Sequence, residues 1–467
     1  MTGIHAEVAE RFGTPVYVYD GDLLRRRYAR LRARLRPDVD IFYSAKANPN
    51  LSICALFGAL GAGLEVSSLA ELVTAERAGV DPANVIFLGP GKSAEELRAC
   101  CERGIHAVVC ESLDEVVALD AMEVADGIRV VLRVNPDFDT HGSRLAMGGK
   151  PRQFGIDEEI LRDGPAALTG LRRVRVAGIH AYLGTRILDA ATVRHNTRGV
   201  LATAETLGKA LDIPLEMVDV GGGWGVPYFD NETDLDGDAA TDGVNEEVEL
   251  FRERHPETRI VTELGRYLVG WCGTYVVRAR YVKRSKGEWF VVADGGTNHH
   301  MAAVGVGSFV KRNFPIRSLS RPDEPAEHVY HVTGPLCTPG DVVGKQVRLP
   351  EVRPGDLLGV ERSGAYGPSA SPVLFLSHGH PAEVLLLDGM AHLIRSRDTV
   401  EDLLRPQHLV TPPVPAPATT TADAVTGTGT DSDSDSAVTN ATATSATTAT
   451  ASATTATEER TPSHGER

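Results

Sequence analysis

Three patterns in this sequence carry more chemistry than their surroundings. Lys46 ends a short apolar run in "VDIFYSAKANPN" (39–50), and small and polar residues follow at once. An ammonium is costly to bury without a partner, so Lys46 either meets solvent or serves a pocket. A pocket lysine can lose its proton and bond covalently to a carbonyl. In "VDVGGGWGVPY" (218–228), Gly221, Gly222 and Gly223 follow a strand-like run. Glycines there let backbone N–H groups approach an anion closely, although a tight turn that binds nothing reads the same way. Glu263, in "TELGRYLVG" (262–270), closes another apolar run just ahead of Gly265 and Arg266.

These residues share one kind of place in the chain pattern. Eight short apolar or β-branched runs alternate with helical stretches: 40–48, 63–68, 85–91, 106–112, 128–136, 176–184, 217–223 and 259–265. Helical segments such as "SLAELVTAERAG" and "SAEELRACCERG" each close on a glycine, where a helix would end. Eight βα units predict a closed (β/α)8 barrel over 21–270. Polar or glycine residues collect at the C-terminal ends of the runs: Lys46, Ser67, Glu111, Arg133, His180 with Tyr182, Gly221–Gly223 and Glu263. That end of such a barrel is where active sites form. After Gly270 the pattern becomes short alternating runs separated by turns, which predicts a β domain over 271–405. The isolated run "TPVYVYD" (14–20) is expected to pair with it. From about Thr411 the chain is rich in Ala, Thr, Ser and Asp, and 411–467 reads as a disordered tail.

Composition narrows the function. Lys and Arg number 48 against 63 Asp and Glu, a net charge of −15, and no basic block stands out. Nucleic acid is therefore an unlikely partner class on charge grounds. None of the six cysteines forms a C-x-x-C pair, so neither a zinc site nor a disulfide framework is indicated. The histidines of "TNHH" (297–300) and "SHGH" (377–380) lack a carboxylate frame and read as packing residues rather than metal ligands. With no signal peptide and no long apolar span, the expected setting is soluble and cytoplasmic, with no membrane partner.

A lysine, an anion cradle and a carboxylate in one barrel match the needs of pyridoxal 5'-phosphate, whose pyridine nitrogen often faces an acid. "FYSAKANPN", "GGGWGVPY", "ELGR", "GPLCTPGD" and "SGAYG" occur in one order over residues 10–405. Together they resemble the fold-type III decarboxylases that use this cofactor, the diaminopimelate and ornithine decarboxylase family. The resemblance implies that Lys46 holds the cofactor and that Gly221–Gly223 with Tyr366 bind its phosphate. It implies that Glu263 faces the ring nitrogen and that Arg266, next to Gly265, meets phosphate or a substrate carboxylate. Arg133, His180 and Tyr182 complete the expected cofactor set. Cys337, with Thr338 and Asp341, is expected to reach substrate from a second subunit of a homodimer, with Cys337 as a proton donor.

The departures bear on substrate. Tyr182 stands where the family usually has a histidine stacked on the ring, with His180 two residues earlier. Diaminopimelate enzymes normally read "CES" at the cysteine, whereas Thr338 and Pro339 follow Cys337 here. The stretch 298–316 lacks their "RPxLYxAYH"-like clamp for a distal carboxylate. A site that accepts a charged end needs partners for it. "MGGKPRQFGID", "HAYLGTR" and "SGAYGPSASPVLFL" resemble more narrowly the branch that acts on a glutamyl group carried on an acyl carrier protein in antibiotic biosynthesis. Lys311, Arg312 and Arg317 would suit an acidic carrier or its phosphopantetheine. Three rival readings stand beside this one. A meso-diaminopimelate decarboxylase of lysine biosynthesis would need the missing contacts. A non-catalytic, protein-binding relative would have lost cofactor residues that are present here. A racemase would need a catalytic tyrosine from the β domain, and the Cys337 motif argues against it.

Overall fold

The computed structural model describes residues 2–138, 145–146, 151, 153–304 and 312–410. The 411–467 tail and Lys311 lie outside them, as do parts of the 147–157 and 298–316 stretches.

Eight parallel strands close into a barrel. They are Val39–Ser44, Gly63–Val66, Val85–Phe87, Ala107–Cys110, Arg129–Asn135, Arg175–His180, Met217–Gly222 and Arg259–Leu264. Each pairs with the next, and Arg259–Leu264 returns to Val39–Ser44. Strands covered on both faces become continuous apolar runs. Gly63–Val66, Val85–Phe87 and Ala107–Cys110 are buried at every residue. Side chains pointing inward, including Phe42, Ile86, Val109, Val131 and Val261, form a core of their own inside the barrel.

Local signals set the connecting helices. Ser93 and Glu96 form a reciprocal capping box that starts Ala94–Arg103, and Gly104 ends it in the left-handed conformation at φ 61°. Ser68 caps Leu69–Arg77 by accepting from the Glu71 N–H. Such caps hold each βα loop at the C-terminal face of the barrel, where the site is built.

The second sheet runs in the order Val342–Leu349, His328–Thr333, Glu288–Ala293, Gly273–Ser285, Val16–Asp20, Ala382–Leu387, Met390–Arg395. Val16–Asp20 pairs antiparallel with Gly273–Ser285 and parallel with Ala382–Leu387, so an N-terminal segment sits centrally in a C-terminal sheet. His299 and His300 are packed beneath this sheet. His299 Nε2 lies 2.9 Å from the Gly379 carbonyl oxygen, and His300 Nε2 lies 2.7 Å from Ser363 Oγ. Burial depresses both, to about 4 for His299 and about 3 for His300.

One loop of this β region lies against the top of the barrel. Tyr366 N–H donates to the Ala47 carbonyl at 2.7 Å, and Asn48 Nδ2 donates to the Gly364 carbonyl at 3.1 Å. A Cβ on Gly364 would lie 1.7 Å from the Val269 carbonyl oxygen, so only glycine permits this approach. Among the described residues, no helix is long and apolar enough to cross a membrane.

Candidate active site

Lys46 lies in the single 3-10 turn Ala45–Ala47 that ends the strand Val39–Ser44. Buried Ala45 and Ala47 anchor that turn and direct the lysine away from the core. Its Nζ lies 2.5 Å from Glu65 Oε2 and 5.8 Å from the centre of the Tyr182 ring. Burial opposes the Lys46 charge, but Glu65 and Glu263 outweigh it and raise the ammonium above its usual range. Glu65 is wholly buried and also accepts from Ser67 Oγ at 3.0 Å. Glu65 does not end its run; its sequence signal is an acid inside the apolar run "GLEVSS", a position that needs a cation.

Lys46, Tyr182, Gly223, Glu263, Gly265, Arg266 and Tyr366 line one cavity. Ser44, Thr185 and Trp224 complete its wall, and nothing in the sequence patterns singled out these three. At one side stands Glu263, wholly buried, with neither carboxylate oxygen hydrogen bonded. Burial pushes its carboxyl up, but His180, Lys46 and Arg133 outweigh this and hold it down to about 2. With His180 Nε2 at 3.5 Å as its nearest ion-pair neighbour and no closer hydrogen bond, this acid has room for a further cationic or N–H partner. A pyridine nitrogen that carries a proton is such a partner.

A cation and glycines supply the anion end. The Arg266 guanidinium lies 4.4 Å from the centre of the Tyr366 ring, and its Nη1 donates to Tyr228 Oη at 2.9 Å. A Cβ on Gly223 would lie 2.0 Å from the Gly184 carbonyl oxygen, and one on Gly265 would lie 2.8 Å from the Ala47 Cβ. Side chains are therefore excluded at Gly223 and Gly265, which line the cavity. These residues fit pyridoxal phosphate: a lysine at the barrel mouth, an acid for the ring and an arginine with glycines for the phosphate.

Several expected site residues take other places. His180 is wholly buried and lies behind Glu263, 3.5 Å from it, instead of in the cavity wall; Tyr182 holds the wall position. Arg133 is tied to Glu111 at 2.8 Å and stacks on Phe154, so it acts on the cavity through its charge. Gly221 and Gly222 sit behind the wall. Their Cβ atoms would strike the Ala181 and Glu263 carbonyl oxygens at 2.6 and 1.6 Å, so close strand packing explains these two glycines.

The Cys337 loop lies outside the cavity wall of its own chain. Asp341 is buried, and its carboxylate accepts from Thr297 N–H, Thr297 Oγ1 and Leu336 N–H at 2.8, 3.0 and 2.8 Å. These bonds make Asp341 an anchor of its own loop, with Oδ1 taking two donors and Oδ2 one. Thr338 helps to close the same turn, accepting from Asp341 N–H and Gly340 N–H. Cys337 is exposed at the tip, away from the cavity wall.

Residues 22–270 match the family model described as pyridoxal-dependent decarboxylase, pyridoxal binding domain. Among curated proteins, the L-glutamyl-[BtrI acyl-carrier protein] decarboxylase of Niallia circulans is 39% identical over 406 residues, covering 86% of this chain and 95% of the relative. The diaminopimelate decarboxylase of Methanothermobacter thermautotrophicus is 32% identical over 419 residues, covering 86% and 94%. Among solved structures, the Helicobacter pylori diaminopimelate decarboxylase complexed with L-lysine superimposes with a TM-score of 0.77 at 28% identity, covering 86% of this chain and 98% of that one. The matched span includes Lys46, Tyr182, Glu263 and Arg266, which line the cavity, and Glu65, which pairs with Lys46. The chain belongs to the pyridoxal-dependent decarboxylases.

Proposed function

We propose that this enzyme decarboxylates a glutamyl or similar aminoacyl group carried on an acyl carrier protein, and that it works as a homodimer with shared sites. The observation that carries the substrate reading is the 39% identity, along almost its whole length, to a relative whose name states that substrate class. The Cys337 loop supports it. Thr338 and Pro339 place no acid beside Cys337, so a free distal ammonium would lack a partner. An acyl group tethered as a thioester has no charge at its far end. Arg312, on the exposed surface and bonded to Asn231 at 2.8 Å, offers charge to an acidic carrier. Arg317 is engaged by Glu361 at 2.6 Å and offers less.

The bound cofactor supplies an acceptor for the electron pair left when CO2 departs. Lys46 would hold it. Glu263, kept ionised by His180, Lys46 and Arg133, holds the proton on the ring nitrogen. Arg266, with Gly223, Gly265 and Tyr366, would hold the phosphate, and Tyr182 in the cavity wall would pack on the ring. Cys337, exposed in its own chain, delivers a proton to the substrate carbon across a subunit interface.

A diaminopimelate decarboxylase is the second reading, supported by the 32% identity to enzymes of that name. Measuring CO2 release from glutamyl-carrier protein and from free meso-diaminopimelate separates the two. Two unmet distal groups at about 1–3 kcal/mol each predict a preference in kcat/KM of about a hundredfold or more for the carrier-bound group. Efficient lysine formation from meso-diaminopimelate would return the protein to the lysine pathway.

A further inference from the structure

Asp219 is a buried acid that the reaction as described does not use. It lies inside the strand Met217–Gly222, is wholly buried, and stands where the pairing with Arg259–Leu264 shifts register between Asp219 and Gly222. Asp219 Oδ1 accepts from Gly221 N–H at 2.8 Å, while Oδ2 has no hydrogen-bond partner. Both oxygens of Glu263 are in the same condition. One ligand atom each from His180, Asp219 and Glu263 falls within a span of 4.8 Å. Two carboxylates so close, both sealed from water and both with oxygens lacking donors, cannot both be ionised at tolerable cost. A single proton placed between them removes the repulsion and satisfies an oxygen on each.

We propose that Asp219 is a positioning residue that shares this proton with Glu263: its Oδ2–H donates to one glutamate oxygen and leaves the other aimed at the ring nitrogen of the cofactor. The surroundings decide which acid keeps the proton. Glu263 faces Lys46, His180 and Arg133 and stays ionised. Asp219 is pushed well above the usual carboxylate range by burial and by the Glu263 charge, with Glu65 adding to the effect. The pair thus carries one negative charge in a fixed orientation. Gly221, whose N–H holds Asp219 Oδ1, stands at φ 66°, which ties the glycine turn to the same device. The proposal rests on the family's cofactor and is independent of the substrate assigned above.

Asp219→Asn tests it, because an amide can donate from Nδ2 to Glu263 and still accept from Gly221 N–H, but carries no titratable proton. Asp219→Ala removes the donor. In the unfolded chain Asp219 loses its proton near pH 4, as an ordinary aspartate does. In the folded chain it keeps that proton to a much higher pH. Between the two values the folded state holds one more proton, so this group makes wild-type stability fall as pH rises. Glu263, His180, Glu65, Lys46 and Arg133 face the pair in both proteins, so their contributions largely cancel in the comparison. The expected result is that unfolding midpoints of cofactor-free protein, measured from pH 5 to pH 8, show the Asn variant gaining on wild type as pH rises. The Asn variant should also bind pyridoxal phosphate within about threefold of wild type, and the Ala variant about tenfold or more weakly, the effect of one lost donor to a charged acceptor. A stability difference that does not grow with pH means that Asp219 is ionised in the fold and overturns the proposal. Cofactor binding by the Asn variant as weak as that of the Ala variant overturns it too. If the Ala variant does not fold, the pH profile and cofactor affinity of the Asn variant still decide.

Discussion

The barrel cavity and the Cys337 loop make different use of their polar residues. In the cavity, Lys46 comes from one segment of the chain and Glu263 with Arg266 from another, and all three line the same space. Tyr366 joins them because its loop is bonded to the barrel at Ala47. In the Cys337 loop, the acid is consumed internally by Thr297 and Leu336 and the thiol stands alone in solvent. The residues proposed to hold the cofactor thus border one cavity of a single chain. The exposed Cys337 lies outside that wall, and under the proposed function it serves a second subunit.

The comparison breaks most sharply at Lys46. Lys46→Ala should lower kcat by about a thousandfold or more, the scale on which covalent catalytic groups act. Phosphate-end contacts remain, so the cofactor should still bind, though more weakly; unchanged turnover would remove Lys46 from the reaction. Cys337→Ala comes next, with kcat expected to fall about a hundredfold, as for a lost general acid, and no change in cofactor affinity. Mixing it with the Lys46→Ala chain should restore part of the activity, because one mixed site then holds both residues. No recovery after verified subunit exchange would mean that each chain builds its own site.

Two smaller effects sharpen the contrast. Asp341→Ala leaves two buried N–H groups without an acceptor, which predicts a stability loss of about 2–4 kcal/mol, with kcat affected only through the shape of the Cys337 loop. A loss of turnover without a lower unfolding midpoint would restore Asp341 to the substrate. The last effect is pH. His299 and His300 are neutral in the fold down to about 4 and about 3, while in the unfolded chain a histidine takes up its proton near pH 6.5. Their contribution to stability is present above about 6.5 and is lost as pH falls through that window. Replacing His300 with Gln should flatten this acid limb of the unfolding midpoint; an unchanged limb would place the acid sensitivity elsewhere.

The barrel was legible because its strands are buried on both faces and its helices are capped locally, so periodicity and glycine placement record them directly. Lys46 and Glu263 were legible for a related reason: a charge ending an apolar run is costly without a use, and each marks a strand end. The same logic applied to Glu65 and Asp219, but both lie inside runs whose apolar character drew the eye past them. Thr185 and Trp224 carry no such signal, since neither residue type is unusual in a loop. Residues 10–405 also determined by themselves the order of motifs that marks the decarboxylase family. Tertiary structure alone decided which of those motif residues touch the cavity. His180 and Tyr182 are two apart on one chain direction, yet one lies behind Glu263 and the other in the wall. Asp341 reads like a site acid, and its role as a loop anchor was not legible, because hydrogen bonds form between residues 44 positions apart and sequence spacing does not record which oxygen finds which N–H.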